Sequence, residues 1–293
     1  MKYIRLVSDI HLDFDLLRFH QTRAVKPGDL TINDPIDILW FPEPMEGDDD
    51  TALVIAGDIW TNRYFLDKTY PDGEPWIKKL SIKFKHVILV LGNHDYWGKN
   101  LLYEADAIKL QLSQAGLTNV TLLEKSLIVI DQVKFVGGTL WTDYHRGDPL
   151  MIGRCRSEFS KDFTSIKYGK SGRCCNPKDM YEVHMNTKKY IFEHTKRDHT
   201  EQKVMVVTHM APSYQSISKS YKTWEYYYSN YHYFSDLEKR IKADGKDIDY
   251  WVHGHVHHAV DYMLEPNVRV CCQPRGYSGY EQTDYDPKFR IEL

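Results

Sequence analysis

Five apolar runs, each closing in a short polar tail, constrain this chain more than any other feature. They are YIRLVSD (residues 3–9), TALVIAGD (51–58), HVILVLGNHD (86–95), KVMVVTH (203–209) and DYWVHGHVHH (249–258). A strand with one wet face alternates polar and apolar residues. Uninterrupted runs such as these predict strands covered on both faces. Helical patterns lie between them. NLLYEADAIKLQLSQAG sets Leu101, Leu102, Ala105, Ile108 and Leu112 on one face, with Gly116 as a stop. PKDMYEVHMNTKKYIFEH and FSDLEKRIKADG read as helices, and VTLLEKSLIVIDQVKFVGG as strand–turn–strand–turn–strand. The mixture predicts an α/β domain with more than one sheet.

We read residues 1–293 as one domain carrying two inserts. Residues 12–50 hold Pro27-Gly28, Pro35, Pro42, Pro44 and Asp48-Asp49-Asp50, and predict a loop-rich insert. Residues 145–178 hold eight lysines and arginines against three acidic residues, and predict a basic insert over a site. Whole-chain charge is only −3, so no global field points to nucleic acid or a membrane. The five cysteines, Cys155, Cys174, Cys175, Cys271 and Cys272, make a poor disulfide framework, because sequence neighbours rarely bridge. The first residues read as a strand rather than a signal peptide, and no run is long enough to span a bilayer. A reducing, cytoplasmic setting and no membrane partner are the expectations.

The polar tails carry the chemistry. They present Asp9 and His11, Asp58, Asn93 with His94 and Asp95, His209, and His255 with His257. In open α/β sheets, ligands bind beyond the carboxyl ends of strands, so these tails are expected to face one crevice. Mixed nitrogen and oxygen donors suit divalent metals: manganese first, with iron, zinc, nickel or cobalt as alternatives. With Asp58 bridging, the set divides into two sites. Asp9, His11, Asp58 and His257 would hold one ion; Asp58, Asn93, His209 and His255 would hold the other. Taken singly, each residue reads as an ordinary strand-end turn; seven together do not.

The ordered blocks D-x-H, G-D, G-N-H-D, H and G-H-x-H resemble the calcineurin-like metallophosphoesterase superfamily. GTLWTDY, THMAPS and QPRGY are similar to segments of its small bacterial and phage phosphoesterases. The resemblance implies a four-layer αββα sandwich with two packed mixed β-sheets. It implies the same ligand assignment. It also implies that His94 stays unligated near the substrate and that Asp95 orients it. The activity implied is two-metal hydrolysis of a phosphate mono- or diester, with a metal-bridged hydroxide as nucleophile and His94 as general acid. A nucleotide or nucleic-acid substrate is favoured by the Tyr-rich stretch 214–234, whose rings would stack a base or else pack an interface, and by the basic insert. A protein Ser/Thr phosphatase is the first alternative, but GDIWTNRY and GNHDYW depart from the G-D-x-x-D-R-G and G-N-H-E of that class. A scaffold that kept the fold without catalysis is the second; a homo-oligomer is left open.

Lesser candidates complete the reading. Arg146 and Arg275 could each fork onto a phosphate or form a structural ion pair. Asp13, Asp15 and Asp48-Asp49-Asp50 read as solvated loops, and His253 and His258 as packing or surface histidines. Gly169-Lys170-Ser171 resembles the end of a P-loop, but Thr164 stands where the first glycine is required.

Overall fold

The computed structural model describes residues 1–15, 17, 39–61, 74–158 and 160–293. The rest, including Pro27-Gly28 and Pro35 of the first insert and residues 62–64 of the GDIWTNRY block, lies outside the described residues. Strands are numbered in chain order. One five-stranded sheet runs β13-β1-β2-β3-β4, with β1 Tyr3–Val7, β2 Thr51–Ala56, β3 His86–Val90, β4 Val120–Leu122 and β13 Arg290–Glu292. A six-stranded sheet runs β11-β12-β10-β9-β6-β5, with β5 Ser126–Ile130, β6 Val133–Gly138, β9 Lys203–Thr208, β10 Tyr250–His253, β11 Val260–Leu264 and β12 Val268–Cys272. Both sheets are mixed. Central strands pair in parallel, while β13, β5 and β11 join antiparallel.

Side-chain alternation explains the uninterrupted apolar runs. Ile4, Leu6, Ala52, Val54, Ile88 and Val90 of the first sheet meet Phe135, Met205, Val207 and Val252 of the second in a core between the sheets. Their neighbours Val7, Leu53, Ile55, Val87, Leu89, Val136, Val206 and Trp251 face outward into a second core shared with the helices. Period-two alternation therefore places an apolar residue on each face, and both faces are dry. Helices α1 (Trp76–Lys83) and α2 (Glu104–Gln114) flank the first sheet. Helices α5 (Pro177–His194) and α6 (Glu238–Asp244) flank the second. The four-layer arrangement expected from the sequence is the one found.

Helix limits follow from local chemistry. Pro177 opens α5, Asn176 caps the N–H groups of Lys178 and Asp179, and Asp179 returns a bond to the Asn176 N–H. Helix α2 starts later than its pattern suggests, at Glu104. Leu102 therefore falls in the preceding turn and is exposed, whereas Ala105, Ile108 and Leu112 are buried as expected. The basic insert folds as α3 (Pro149–Glu158), α4 (Ser160–Ser165) and a hairpin of β7 (Lys167–Tyr168) with β8 (Arg173–Cys174). All five cysteines are free. No helix among the described residues is long and apolar enough to cross a membrane.

Candidate metal centre

The parallel strands β1, β2, β3, β9 and β10 all release their polar tails at one edge of the two sheets. The chain must turn sharply there. Asp9 (φ 49°), His11 (φ 47°), Asp58 (φ 53°), His255 (φ 69°) and His257 (φ 43°) are all held in the left-handed region. Each costs about 1–3 kcal/mol, and such strain collects at functional sites. Two glycines are required by contact. A Cβ on Gly92 would lie 2.0 Å from Asp58 Oδ1. One on Gly57, at φ 90°, would lie 2.3 Å from His209 Nδ1.

These turns bring together all seven candidate ligands read from the sequence. Asp58 is buried, and its Oδ2 stands 3.7 Å from His11 Nε2 and 3.5 Å from His209 Nε2. On one side, His257 Nε2 is 3.2 Å from His11 Nε2 and 3.4 Å from Asp9 Oδ1. On the other, Asn93 Oδ1 is 3.1 Å from His209 Nε2, and the His255 imidazole lies 4.9 Å from that of His209, centre to centre. Donor atoms of Asp9, His11 and His257 lie within 4.8 Å of one another, and so do those of Asp58, His209 and His255. The same holds for His11, Asp58 and His94.

The donors fit a pair of divalent cations. Two buried carboxylates, four imidazoles and an amide oxygen supply the N/O set such ions prefer. His255 Nε2 is buried with no hydrogen-bond partner among the described residues. His209 Nδ1 lies 2.8 Å from the Ala56 carbonyl and His257 Nδ1 2.5 Å from Glu281 Oε1, which leaves each Nε2 as the atom that could ligate a cation. Without metal, protons take up part of the negative charge. Burial opposes charge on His209 and His257, yet Asp58 lifts His209 to about 9, and Asp9 and Glu281 lift His257 to about 10. Burial drives His11 down to about 3 and His255 well below its usual range.

His94 lines the cleft beside this centre, its ring stacked on Trp97 at 3.6 Å and its Nε2 3.4 Å from the Tyr277 hydroxyl. The orientation expected from Asp95 is not found. Asp95 accepts the backbone N–H groups of Asp58, Ile59, Trp60 and Gly92, at 2.8–3.0 Å. It ties the β2 and β3 loops together, and His94 Nδ1 has no hydrogen-bond partner among the described residues. Burial and the charge of Asp58 push the Asp95 carboxyl up to about 7.

Neither arginine lines the cleft beside the centre. Arg275 donates to Asp15 Oδ1 at 2.6 Å and to the Ile10 carbonyl at 2.8 Å, which braces the loop after β1. Asp15 is accordingly buried rather than solvated. Arg146 is exposed and does not line the cleft. Asp48, also buried, clamps Arg5 at 2.9 Å, whereas Asp49 and Asp50 are exposed as expected. His253 packs as expected, buried, with Nε2 2.8 Å from Ser216 Oγ.

The centre opens into a cleft of about 860 Å³. Part of the Tyr-rich stretch forms its wall, through Tyr221, Tyr226 and Tyr233. Lys161 is the basic-insert cation at the cleft, and Glu158 and Asp162 accompany it. The insert's positive charge is therefore not concentrated on the site. Sequence reading missed Glu281, Asp162, Trp97 and Tyr277. QPRGY did point to the last of these, but its arginine drew the inference.

A double-sheet α/β sandwich with buried carboxylate, imidazole and amide donors gathered at its strand ends is the architecture of a candidate metal site. The pattern of the calcineurin-like phosphoesterase family matches residues 3–259, and the chain belongs to that family of metal-dependent phosphoesterases. It is similar to the uncharacterized protein L509 of Acanthamoeba polyphaga mimivirus, 23% identical over 302 residues, covering 100% of this chain and 97% of that one. Among solved structures it resembles the phosphopantetheinyl hydrolase of Mycobacterium tuberculosis, with a TM-score of 0.61 at 16% identity over 94% of this chain and 89% of that one. A dimetal phosphatase from Danio rerio matches at a TM-score of 0.41 and 10% identity, over 94% of this chain and 88% of that one.

Proposed function

We propose that the protein hydrolyses phosphate esters at a pair of divalent cations, manganese first among them, and that its substrate is a nucleotide or a nucleic-acid end. The observation that carries the reading is the position of Asp58 Oδ2 between His11 and His209, where two donor clusters share one oxygen. Asp9, His11, Asp58 and His257 would hold one cation, and Asp58, Asn93, His209 and His255 the other. When bound, the cations supply Lewis-acid polarisation of the phosphoryl group and ready water for attack near neutral pH. The chain's own residues do the rest. The buried ligands exclude bulk water from one side of the phosphate. His94, stacked on Trp97 at the cleft, gives a proton to the departing oxygen. No serine or cysteine nucleophile is required.

The aromatic wall supports the nucleotide reading. Tyr221 and Tyr226 line the cleft with their rings 5.1 Å apart, edge to face. A base stacked on such a ring gains about 1–3 kcal/mol. The test is a manganese-dependent panel: bis-p-nitrophenyl phosphate, p-nitrophenyl phosphate, nucleotides, cyclic nucleotides, short DNA and RNA, and a phosphoserine peptide. A phosphopantetheinyl compound joins it because a structural neighbour is a phosphopantetheinyl hydrolase. Turnover of nucleotides or nucleic-acid ends above the rest, with a KM raised by Tyr226→Ala, supports the proposal. Preference for the phosphopeptide would favour the protein phosphatase alternative. Metal bound with no turnover of any ester would favour a scaffold.

A further inference from the structure

The basic insert makes a buried connection to the metal centre through Asp162 on α4. Its carboxylate is 2% exposed and accepts from three side chains. Asn93 Nδ2 lies 3.2 Å from Oδ1 and 3.3 Å from Oδ2. Trp97 Nε1 lies 2.7 Å from Oδ1, and His232 Nε2 lies 2.9 Å from Oδ2. His232 belongs to the Tyr-rich segment, and its ring is 5.8 Å from that of His255. Both segments outside the ligand blocks therefore converge on one acid behind the Asn93, His209 and His255 side of the centre.

We propose that Asp162 is the positioning residue for Asn93, fixing which face of its amide meets the cation. The reasoning is chemical. An ionised carboxylate only accepts hydrogen bonds, so the Asn93 amide must present its NH2 to Asp162. Its carbonyl oxygen is then turned the other way, where it lies 3.1 Å from His209 Nε2. Rotated by half a turn, the amide would point two N–H donors at a cation and its oxygen at a carboxylate. By holding Trp97 as well, Asp162 also steadies the ring beneath His94. The other half of the centre is backed independently, by Glu281 on His257. Removing Asp162 should thus weaken one metal site and spare the other. This inference rests on the two-metal reading.

The experiment is manganese titration of the full chain by calorimetry and electron paramagnetic resonance. It compares wild type, Asp162→Ala, Asn93→Ala and the double variant. Loss of an outer partner of a metal ligand typically lowers affinity about 10–100-fold. Asp162→Ala, which removes both acceptor oxygens, is expected to weaken one of two sites by that factor and leave the other unchanged. Asp162→Asn, which can keep an oxygen where Asn93 and Trp97 bond, should recover most of the loss. In the Asn93→Ala background, Asp162→Ala should add no further loss, because its effect passes through Asn93. Equal weakening of both sites, no weakening of either by Asp162→Ala, or a full additional loss in the double variant would overturn the proposal. Should Asp162→Ala fail to fold, Asp162→Glu, which keeps an acceptor but displaces it, is read by the same criterion. Wild-type protein that binds no manganese would instead remove the two-metal reading itself.

Discussion

Asp58 Oδ1 accepts the backbone N–H of His94 at 2.9 Å, and this bond turns the carboxylate so that Oδ2 is left for the metal centre. The loop after β3 thereby orients, at the end of β2, the carboxylate proposed as the shared ligand. Asp58→Asn breaks the arrangement at one atom. If the amide oxygen keeps the bond to His94, its NH2 falls between His11 and His209, a donor where an anion stood. Both cations should be lost, by more than the roughly 10–100-fold typical of an outer-shell change. His11→Ala, by contrast, should cost chiefly one. Metal content of the two variants by plasma mass spectrometry checks the difference.

His94 tests the assignment of a proton donor. His94→Ala should retain both metals. It should lower kcat about 10²–10⁴-fold on esters with poor leaving groups, and much less on p-nitrophenyl esters. His94 also lies within reach of His11 and Asp58, so loss of metal is the contrary result. That outcome would make it a ligand.

Protonation and metal binding compete. His209, at about 9, and His257, at about 10, carry protons at pH 7 when no metal is bound. Both are raised above the usual histidine value, so the proton is favoured below these values and lost above them. Ligation requires the neutral ring. Uptake of two cations at pH 7 should release about two protons, and each affinity should fall about tenfold per pH unit below 9. Calorimetry in two buffers of different ionisation enthalpy measures the release directly. An affinity independent of pH would contradict it.

Gly92 tests the packing beneath the centre. A methyl group there meets Asp58 Oδ1 at 2.0 Å, and neither the carboxylate nor the backbone behind it can yield. Gly92→Ala should destabilise the fold by about 1–3 kcal/mol, as overpacking does, and should abolish metal binding even where the protein still folds. A thermal melt and a metal titration of the same sample separate the two effects.

That these seven donors converge could be read from sequence because each ends a strand whose apolar run is itself diagnostic. D-x-H and H-x-H occupy single turns, so spacing and geometry coincide. The supporting residues had no such signature. Asp162 reaches Asn93 across 69 positions, and Tyr277 reaches His94 across 183. Such contacts are set by packing of whole elements and leave no local pattern. Asp95 shows the opposite failure. It is next to His94 in the chain, but the 3₁₀ turn His94–Tyr96 sends successive side chains in different directions. One then faces the cleft, and the other faces the backbone of β2's loop.

The central claim is that two cations share Asp58. It is tested most directly by anomalous diffraction at the manganese edge from crystals grown with manganese. We expect two peaks roughly 3.5–4 Å apart, as in two-metal sites generally. Asp58 should lie between them, with Asp9, His11 and His257 on one side and Asn93, His209 and His255 on the other. A single peak away from Asp58, or no anomalous density among these residues, would contradict the account.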